Sequence, residues 1–515
     1  MKVFRWLHKI KNKPVLARWL FYLGLFVYLI PVYLLPLFPT LDGAAHLYSG
    51  SLLARWNDFP LAHEFFLKQP FPPPNIISHW IMYLLWPALH PIGIEKIIVA
   101  LSIALPAISV EWLCRQKGIS SINALLVLPV LYNFMLFLGF YNFLIGIGLL
   151  WLSYAILTRL QGKKTIWIVL ASLGLGSAMH FSHLMILPAA TGLLFIDYLV
   201  SKNRTRGIAL ILFSVLSIVS ILLFYNQFVE KSDLNLSWPS LTDRLNMLWN
   251  SQPLVSFYQS ENLRTRWFSL LLLILLVVEL WRVKRWSYSG RTFGLFSALV
   301  LVGLMVIPDD LLGGGLLAQR IQLVFIYGIC ITLIMEIRRM WQRALILLFI
   351  LSYGPVQLLH QVKIAKDLSY MGSQMYQIGK QLDEDGILVP VYFTDNWLES
   401  HAANYAGLHS NIIIADFYEA LNPYFPFYYN PELNLFRIMG MDTDKGRKCP
   451  EIEHLEQVTK YEVTYILNIK KRAWPDDCNL GAYIDRYFEL YLETDDVLVY
   501  KRHSPKRKDS PQPPA

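Results

Sequence analysis

A chain of 515 residues with 55% hydrophobic and 16% charged residues is too apolar for three or four soluble domains of ordinary composition. Its net charge of +9 sits in short basic clusters between apolar runs, which is the pattern of membrane-flanking loops and not of a nucleic-acid surface. Intrinsic disorder, collagen and a small disulfide-stapled domain are excluded by the same composition, in which only four residues are cysteine.

Trp19 to Leu37 is the first run able to cross a bilayer, which takes roughly 17 to 25 mostly apolar residues. Lys2, Arg5, Lys9, Lys11, Lys13 and Arg18 precede it, so the N-terminus is expected on the cytoplasmic side. A cleaved signal peptide is the competing reading, but the run exceeds a usual signal core and no small-residue cleavage site follows. Further apolar segments near 93–113, 122–138, 140–158, 166–180, 183–200, 207–225, 267–282, 292–307, 318–336 and 342–359 bring the expectation to about eleven spans.

With the odd spans running outward, each inner turn is basic: Arg115 and Lys117; Arg159, Lys163 and Lys164; Lys202, Arg204 and Arg206; Arg282, Lys284, Arg285 and Arg291; Arg338, Arg339 and Arg343. The outer turns hold fewer cations, although Arg244, Arg264 and Arg266 fall in one of them. This alternation requires that 76–90 (IISHWIMYLLWPALH) does not cross, so it is expected to lie on the outer membrane surface. An odd number of spans then places everything after His360 outside. There the strand-like runs 387–393, 411–415, 463–469 and 496–502 alternate with helix-like segments near 363–382, 396–406 and 480–490, the signature of a small α/β domain. Cys449 and Cys478 lie in it, in a compartment that permits disulfides, either paired or as two thiols. The expected organisation is a transmembrane domain over 1–360 with its first outer loop at 39–92, a periplasmic α/β domain over 361–502 and a disordered tail over 503–515.

The residues able to carry chemistry share the outer side of this topology. Asp42 follows the first span directly and His46 comes four residues later; Asp42 reads either as the N-cap of a helix over 43–55 or as a general base at the membrane interface. In LYNFMLFLGFYNFLIGIG, Asn133 and Asn142 lie within apolar helices, where interhelical hydrogen bonds are the first expectation, with Gly139, Gly146 and Gly148 allowing close approach. His180 and His183 are three apart, on one face if that stretch is helical; without a companion pair of ligands they carry no metal assignment. Arg320 follows Asp309, Asp310 and the glycines at 313–315, and two readings stand open: a phosphate site, or an ion pair with Asp309, Asp310 or Asp42.

On these residues the chain resembles the GT-C superfamily of polytopic glycosyltransferases, which includes protein O-mannosyltransferases and the aminoarabinose transferase of lipid A. The resemblance rests on Asp42 just after the first span (FPTLDGAAHL), a long outer loop with a proline-rich step into a surface helix (PFPPPNIISHWIMYLL), and a C-terminal outer domain. It is nearer still to a group of bacterial membrane proteins with an Asp and a His after the first span, a GFxNFxxG bend and a later His, here Asp42, His46, GFYNFLIG from Gly139 to Gly146, and His180 or His183. Many members carry paired acids in the first loop, whereas this chain has Gly43 and no further acid until Asp58 and Glu64, so neither a metal nor another cofactor is assigned.

The resemblance implies a GT-C-like, α-helical polytopic membrane protein with a C-terminal extracytoplasmic α/β domain, sited in a bacterial inner membrane. It implies an inverting glycosyltransferase that moves a hexosyl or pentosyl group from a polyprenyl-phosphate donor to a glycan, lipid or protein acceptor. Asp42 would be the catalytic base, and His46, His180, His183, Arg320 and Asn142 would bind substrate. Two rivals remain open: a transporter of lipid-linked glycan, for which no convincing internal repeat is found, and a non-catalytic scaffold of envelope polysaccharide assembly.

Overall fold

Proline in the first turn costs no hydrogen bond, and the apolar run behind it makes Pro14–Leu34 the first long helix. Ala17, Phe21, Leu25, Tyr28 and Val32 recur at helical spacing and are buried, while Trp19, Leu23, Phe26 and Leu34 stand exposed. An outward face as apolar as the inward one is what a helix in contact with lipid requires. The computed structural model describes residues 13–228, 237–310, 315–422 and 424–503. The basic residues from Lys2 to Lys11, the glycines at 313 and 314, and residues 504–515 lie outside that set.

Among the described residues, eight helices are long and apolar enough to cross a membrane: Pro14–Leu34, Pro91–Gln116, Tyr141–Arg159, Thr165–Ser182, Arg204–Gln227, Tyr288–Val306, Leu317–Glu336 and Met340–Gly379. Ile186–Ser201 is a shorter apolar helix, and Asn262–Leu280 carries Arg264, Arg266 and Glu279 in its 19 residues. The segment 122–138, expected to span, does not form one helix. It folds as a buried 3-10 stretch, Asn123–Val130, and a five-residue helix, Phe134–Leu138. Pro129 removes a backbone donor from the middle of the run, and Asn133 starts the second piece by accepting from Leu136 N–H at 3.1 Å. Asn133 is therefore a local cap and not the interhelical bond expected of it. The surface-helix segment holds one helix, Ile77–Leu85, whose nine residues are too short to cross a bilayer.

The chain divides into two compact units. The first comprises the chain up to Phe38, Pro72–Ile81 and Glu95–Lys366. In it Tyr141–Arg159 packs on Thr165–Ser182 and Ile186–Ser201, and Tyr288–Val306 on Leu317–Glu336. Gly139, in the left-handed region at φ 86°, ends the short 134–138 helix and turns the chain into Tyr141–Arg159. A Cβ at Gly148 would lie 2.5 Å from Leu105, so the 141–159 and 91–116 helices touch through the missing side chain.

The second unit comprises Pro39–Phe71, Met82–Ile94 and the chain from Asp367 onward. Its strands in chain order are β1 Phe66–Lys68, β2 Gly386–Tyr392, β3 Ile412–Ile414, β4 Phe427–Tyr429, β5 Val463–Ile469, β6 Phe488–Glu493 and β7 Val497–Arg502. Five of them form a sheet in the order β3-β2-β5-β7-β6, parallel from β3 to β5 and antiparallel beyond. β1, from the first loop, pairs antiparallel with β4. Tyr48 Oη, on helix Gly43–Arg55, donates to Ile412 O at 2.8 Å and ties that helix to β3. β6 occupies the end of the helix expected over 480–490; the helix stops at Tyr487, and the strand that follows is an edge strand with little buried but Phe488.

Cys449 and Cys478 are disulfide-bonded, with Cα atoms 5.8 Å apart. Cys449→Ser is expected to lower the stability of this unit by about 2 to 4 kcal/mol, because the bridge restricts the unfolded chain. The check is thermal melting with and without reductant: the wild type should shift down on reduction to the variant's midpoint, and a reductant-insensitive midpoint would contradict it.

Candidate active site

The parallel strands β3, β2 and β5 end at one edge of the sheet, and the crevice beyond the carboxyl ends of such strands is where α/β sheets present their polar groups. Beyond β2, Thr394 Oγ1 donates to Glu399 at 2.5 Å, and Lys470, just after β5, lies 3.3 Å from the same carboxylate. Beyond β3 come Asp416, Tyr418 and Glu419. Tyr392 donates to Asp416 at 2.7 Å, yet burial pushes the Asp416 carboxyl up to about 7. The 3-10 turn Tyr418–Leu421 carries Glu419 to His46, and His46 Nδ1 and the Glu419 carboxylate are hydrogen-bonded.

Asp42 lies one helical turn before His46, whose N–H donates to Asp42 O at 2.9 Å as the 43–55 helix begins. The Asp42 side chain makes no capping bond, although the residue occupies the cap position. It is 7% exposed, and its charge bears on Tyr418, whose phenol is pushed well up first by burial and then by Asp42 and Glu419. The His401 ring stacks on Tyr418 at 4.3 Å. Burial, reinforced by Arg447, pushes His401 down to about 3, so its imidazole is neutral at ordinary pH. A nearly buried carboxylate beside an imidazole that is itself held by a second carboxylate is an arrangement that can accept a proton from a bound hydroxyl. His46 and Glu419 are also donors of the kind zinc takes.

The first unit brings together two more of the expected residues. Helix Thr165–Ser182 stops before His183, whose φ of −164° is extended, so His180 and His183 do not share a helical face as expected. His180 stays in the helix with its ring 4.9 Å from Phe181. His183 instead meets Arg320, at 3.3 Å from Nη1 to Nε2, and packs edge-on to Phe143 at 5.2 Å. Burial and the Arg320 charge hold His183 well below its ordinary value, so the ring is neutral. Met185 N–H also points at Nδ1, at 3.3 Å. A neutral imidazole has one acceptor nitrogen, so the two donors compete for it. The guanidinium lies over the Phe140 ring, 4.6 Å from its centre.

Of the acids proposed as partners for Arg320, Asp309 accepts from Ala318 N–H at 2.8 Å at the head of the same helix, and Asp310 accepts from Ser237 at 2.6 Å. Asn142 accepts from Ser78 N–H at 2.7 Å and donates to Asn75 O at 2.8 Å, so its carboxamide fastens the 75–78 segment to helix 141–159.

No protein-family model matches the chain, and no curated protein matches it in sequence. Among solved structures, the crystal structure of ArnT from Cupriavidus metallidurans bound to undecaprenyl phosphate matches with a TM-score of 0.51 at 12% identity, covering 93% of this chain and 97% of that one. The fold is that of ArnT. The apo crystal structure of the same protein gives a TM-score of 0.52 with the same identity and coverage. The expected polytopic helical architecture with a C-terminal sheet is the one this chain has. At 12% identity the likeness to ArnT concerns the fold, and 93% coverage is more than either unit alone could supply.

Within that ArnT fold, reading the sequence missed Glu419, Tyr418 and His401, and also the fully buried His79 and Glu95 of the helical unit. Acids directly after the strand-like run NIIIA were the available signal, since that is the carboxyl end of a parallel strand.

Proposed function

We propose that the protein is a membrane glycosyltransferase that moves a sugar from a polyprenyl-phosphate donor to an extracytoplasmic acceptor with inversion at the anomeric carbon. The observation that carries this reading is Asp42, a nearly buried carboxylate beside the His46–Glu419 pair, in a chain with the fold of a protein that binds undecaprenyl phosphate. Asp42 takes the proton of the acceptor hydroxyl as its oxygen bonds to the anomeric carbon. The carbon–oxygen bond to phosphate breaks, and the phosphate leaves with the electron pair. A leaving phosphate already carries charge, so it needs a cation more than an acid, and Arg320 is the guanidinium proposed for that role. His46, His183 and His180 orient donor or acceptor, and Asn142 holds the 75–78 segment in place for them. The basic turns support a cytoplasmic N-terminus and a periplasmic sheet unit, in a bacterial inner membrane.

The test is transfer or hydrolysis of a panel of radiolabelled polyprenyl-phosphate sugars by purified protein in nanodiscs, with and without a chelator. Arg320→Gln is expected to lower kcat by roughly 10²-fold or more, the range for removing one charge-stabilising donor. A chelator should leave the wild type unaffected; loss of turnover in chelator would assign His46 and Glu419 to a metal. Folded wild type that binds these donors and neither transfers nor hydrolyses any of them would overturn the enzymatic reading.

A further inference from the structure

The helical unit has a cavity of about 850 Å³ at the end away from Arg320. Met335, Ile337 and Arg338 line it at the close of helix Leu317–Glu336, whereas Arg320 stands in the first turn, about 25 Å away at 1.5 Å per residue. Five cations face the cavity, Arg18, Arg115, Lys117, Arg338 and Arg343, and no carboxylate is among its described lining residues.

Two buried carboxylates behind the wall take up part of that charge. Glu111 lies 3.0 Å from Arg115 and 3.9 Å from Arg18, and Glu336 lies 3.7 Å from Arg338. Lys117 and Arg343 meet aromatic rings and an amide instead, although the Arg206 and Asp197 charges also reach Lys117. The Lys117 ammonium stands 5.7 and 5.8 Å from the ring centres of Tyr154 and Tyr288, and Arg343 Nε donates to Asn123 Oδ1 at 3.0 Å. The Ser120 hydroxyl on the same wall is buried and makes no hydrogen bond among the described residues. Burial, with the Arg206 charge added, holds Lys117 below its ordinary value, the behaviour of a desolvated cation that an anion would stabilise.

Several cations around hydroxyls, with room for a headgroup, fit a phosphate, whose oxygens accept from guanidinium, ammonium and hydroxyl donors together. The cavity wall is built from the start of Pro14–Leu34, the turn after Pro91–Gln116, the start of Tyr288–Val306 and the turn after Leu317–Glu336. The ends of bilayer-length helices mark the depth of lipid headgroups, which points to lipid and not to a soluble anion as the source. We infer that this cavity binds the phosphate of an anionic phospholipid.

Wild type, Lys117→Gln and Lys117→Gln/Arg338→Gln, purified in detergent, would be titrated calorimetrically with short-chain phosphatidylglycerol, phosphatidylcholine and inorganic phosphate, with melting curves as the control for folding. The wild type is expected to bind phosphatidylglycerol in preference to phosphatidylcholine, roughly tenfold more weakly for each cation removed. Folded variants that bind phosphatidylglycerol as tightly as the wild type overturn the site. Variant-sensitive binding of inorganic phosphate without any binding of phosphatidylglycerol overturns the lipid as its source.

Discussion

Asp42→Asn is expected to lower glycosyl transfer by roughly 10²- to 10⁴-fold, the range for losing a positioned general base, while the melting midpoint and donor binding stay near those of the wild type. Asparagine keeps the shape of aspartate and an accepting oxygen but cannot take a proton near neutral pH. The Asp42 side chain makes no capping bond to the 43–55 helix, so the variant removes no capping hydrogen bond and loses only the charge's interaction with the helix dipole, about 0.3 to 1 kcal/mol. Tyr418, kept protonated by burial and by the nearby Asp42 and Glu419 charges, still faces an accepting oxygen in the variant. The measurement is single-turnover transfer in nanodiscs beside donor binding and a melting curve. Unchanged turnover would return Asp42 to a purely structural place and favour the scaffold or transporter. Glu419→Gln belongs in the same series as a positioning variant: it keeps a partner for His46 but removes the charge, so the pH profile of turnover should move while the protein stays folded.

Local rules carried most of the architecture, and they failed where distance in sequence or a single residue decided. Apolar length marked the eight bilayer-length helices among the described residues, because a membrane helix is specified by composition over its own residues, but it split Met340–Gly379, one helix, into separate segments at 342–359 and 363–382. It also failed at 122–138, where the apolar composition is that of a span but Pro129 and Asn133 break the helix in the middle. Strands β2, β3, β5 and β7 are apolar enough to show, whereas β1 and β4 are three residues each and exist only by pairing with each other across the sequence. The same division holds for the site. Asp42 and His46 were legible because the end of the first span places them and helical spacing relates them. Glu419 was not, because its part depends on meeting His46 across 373 residues, a contact no local pattern encodes. The pairing of His183 with Arg320 spans 137 residues and depends on the helix ending at Ser182, one residue earlier than the one-face arrangement needs.

Asp197→Asn should do the opposite of Asp42→Asn, lowering stability without touching the proposed chemistry. Asp197, on helix Ile186–Ser201, lies 2.6 Å from the Arg206 guanidinium, and both side chains are fully buried. Tyr154 donates to the same carboxylate at 2.9 Å and Thr292 at 3.2 Å, so residues from four helices converge on one charge. Removing that charge leaves Arg206 buried without a counter-ion, and breaking a buried pair from one side costs about 3 to 5 kcal/mol. The loss should appear as a lower melting midpoint and poorer recovery from detergent extraction. Replacing both partners, as in Asp197→Leu with Arg206→Met, should recover much of it, because the uncompensated charge leaves with its partner and two desolvation costs vanish together. A single variant that melts with the wild type would show that water or another group compensates Arg206. A double variant no better than the single would place the stabilisation in the bonds from Tyr154 and Thr292 and not in the ion pair.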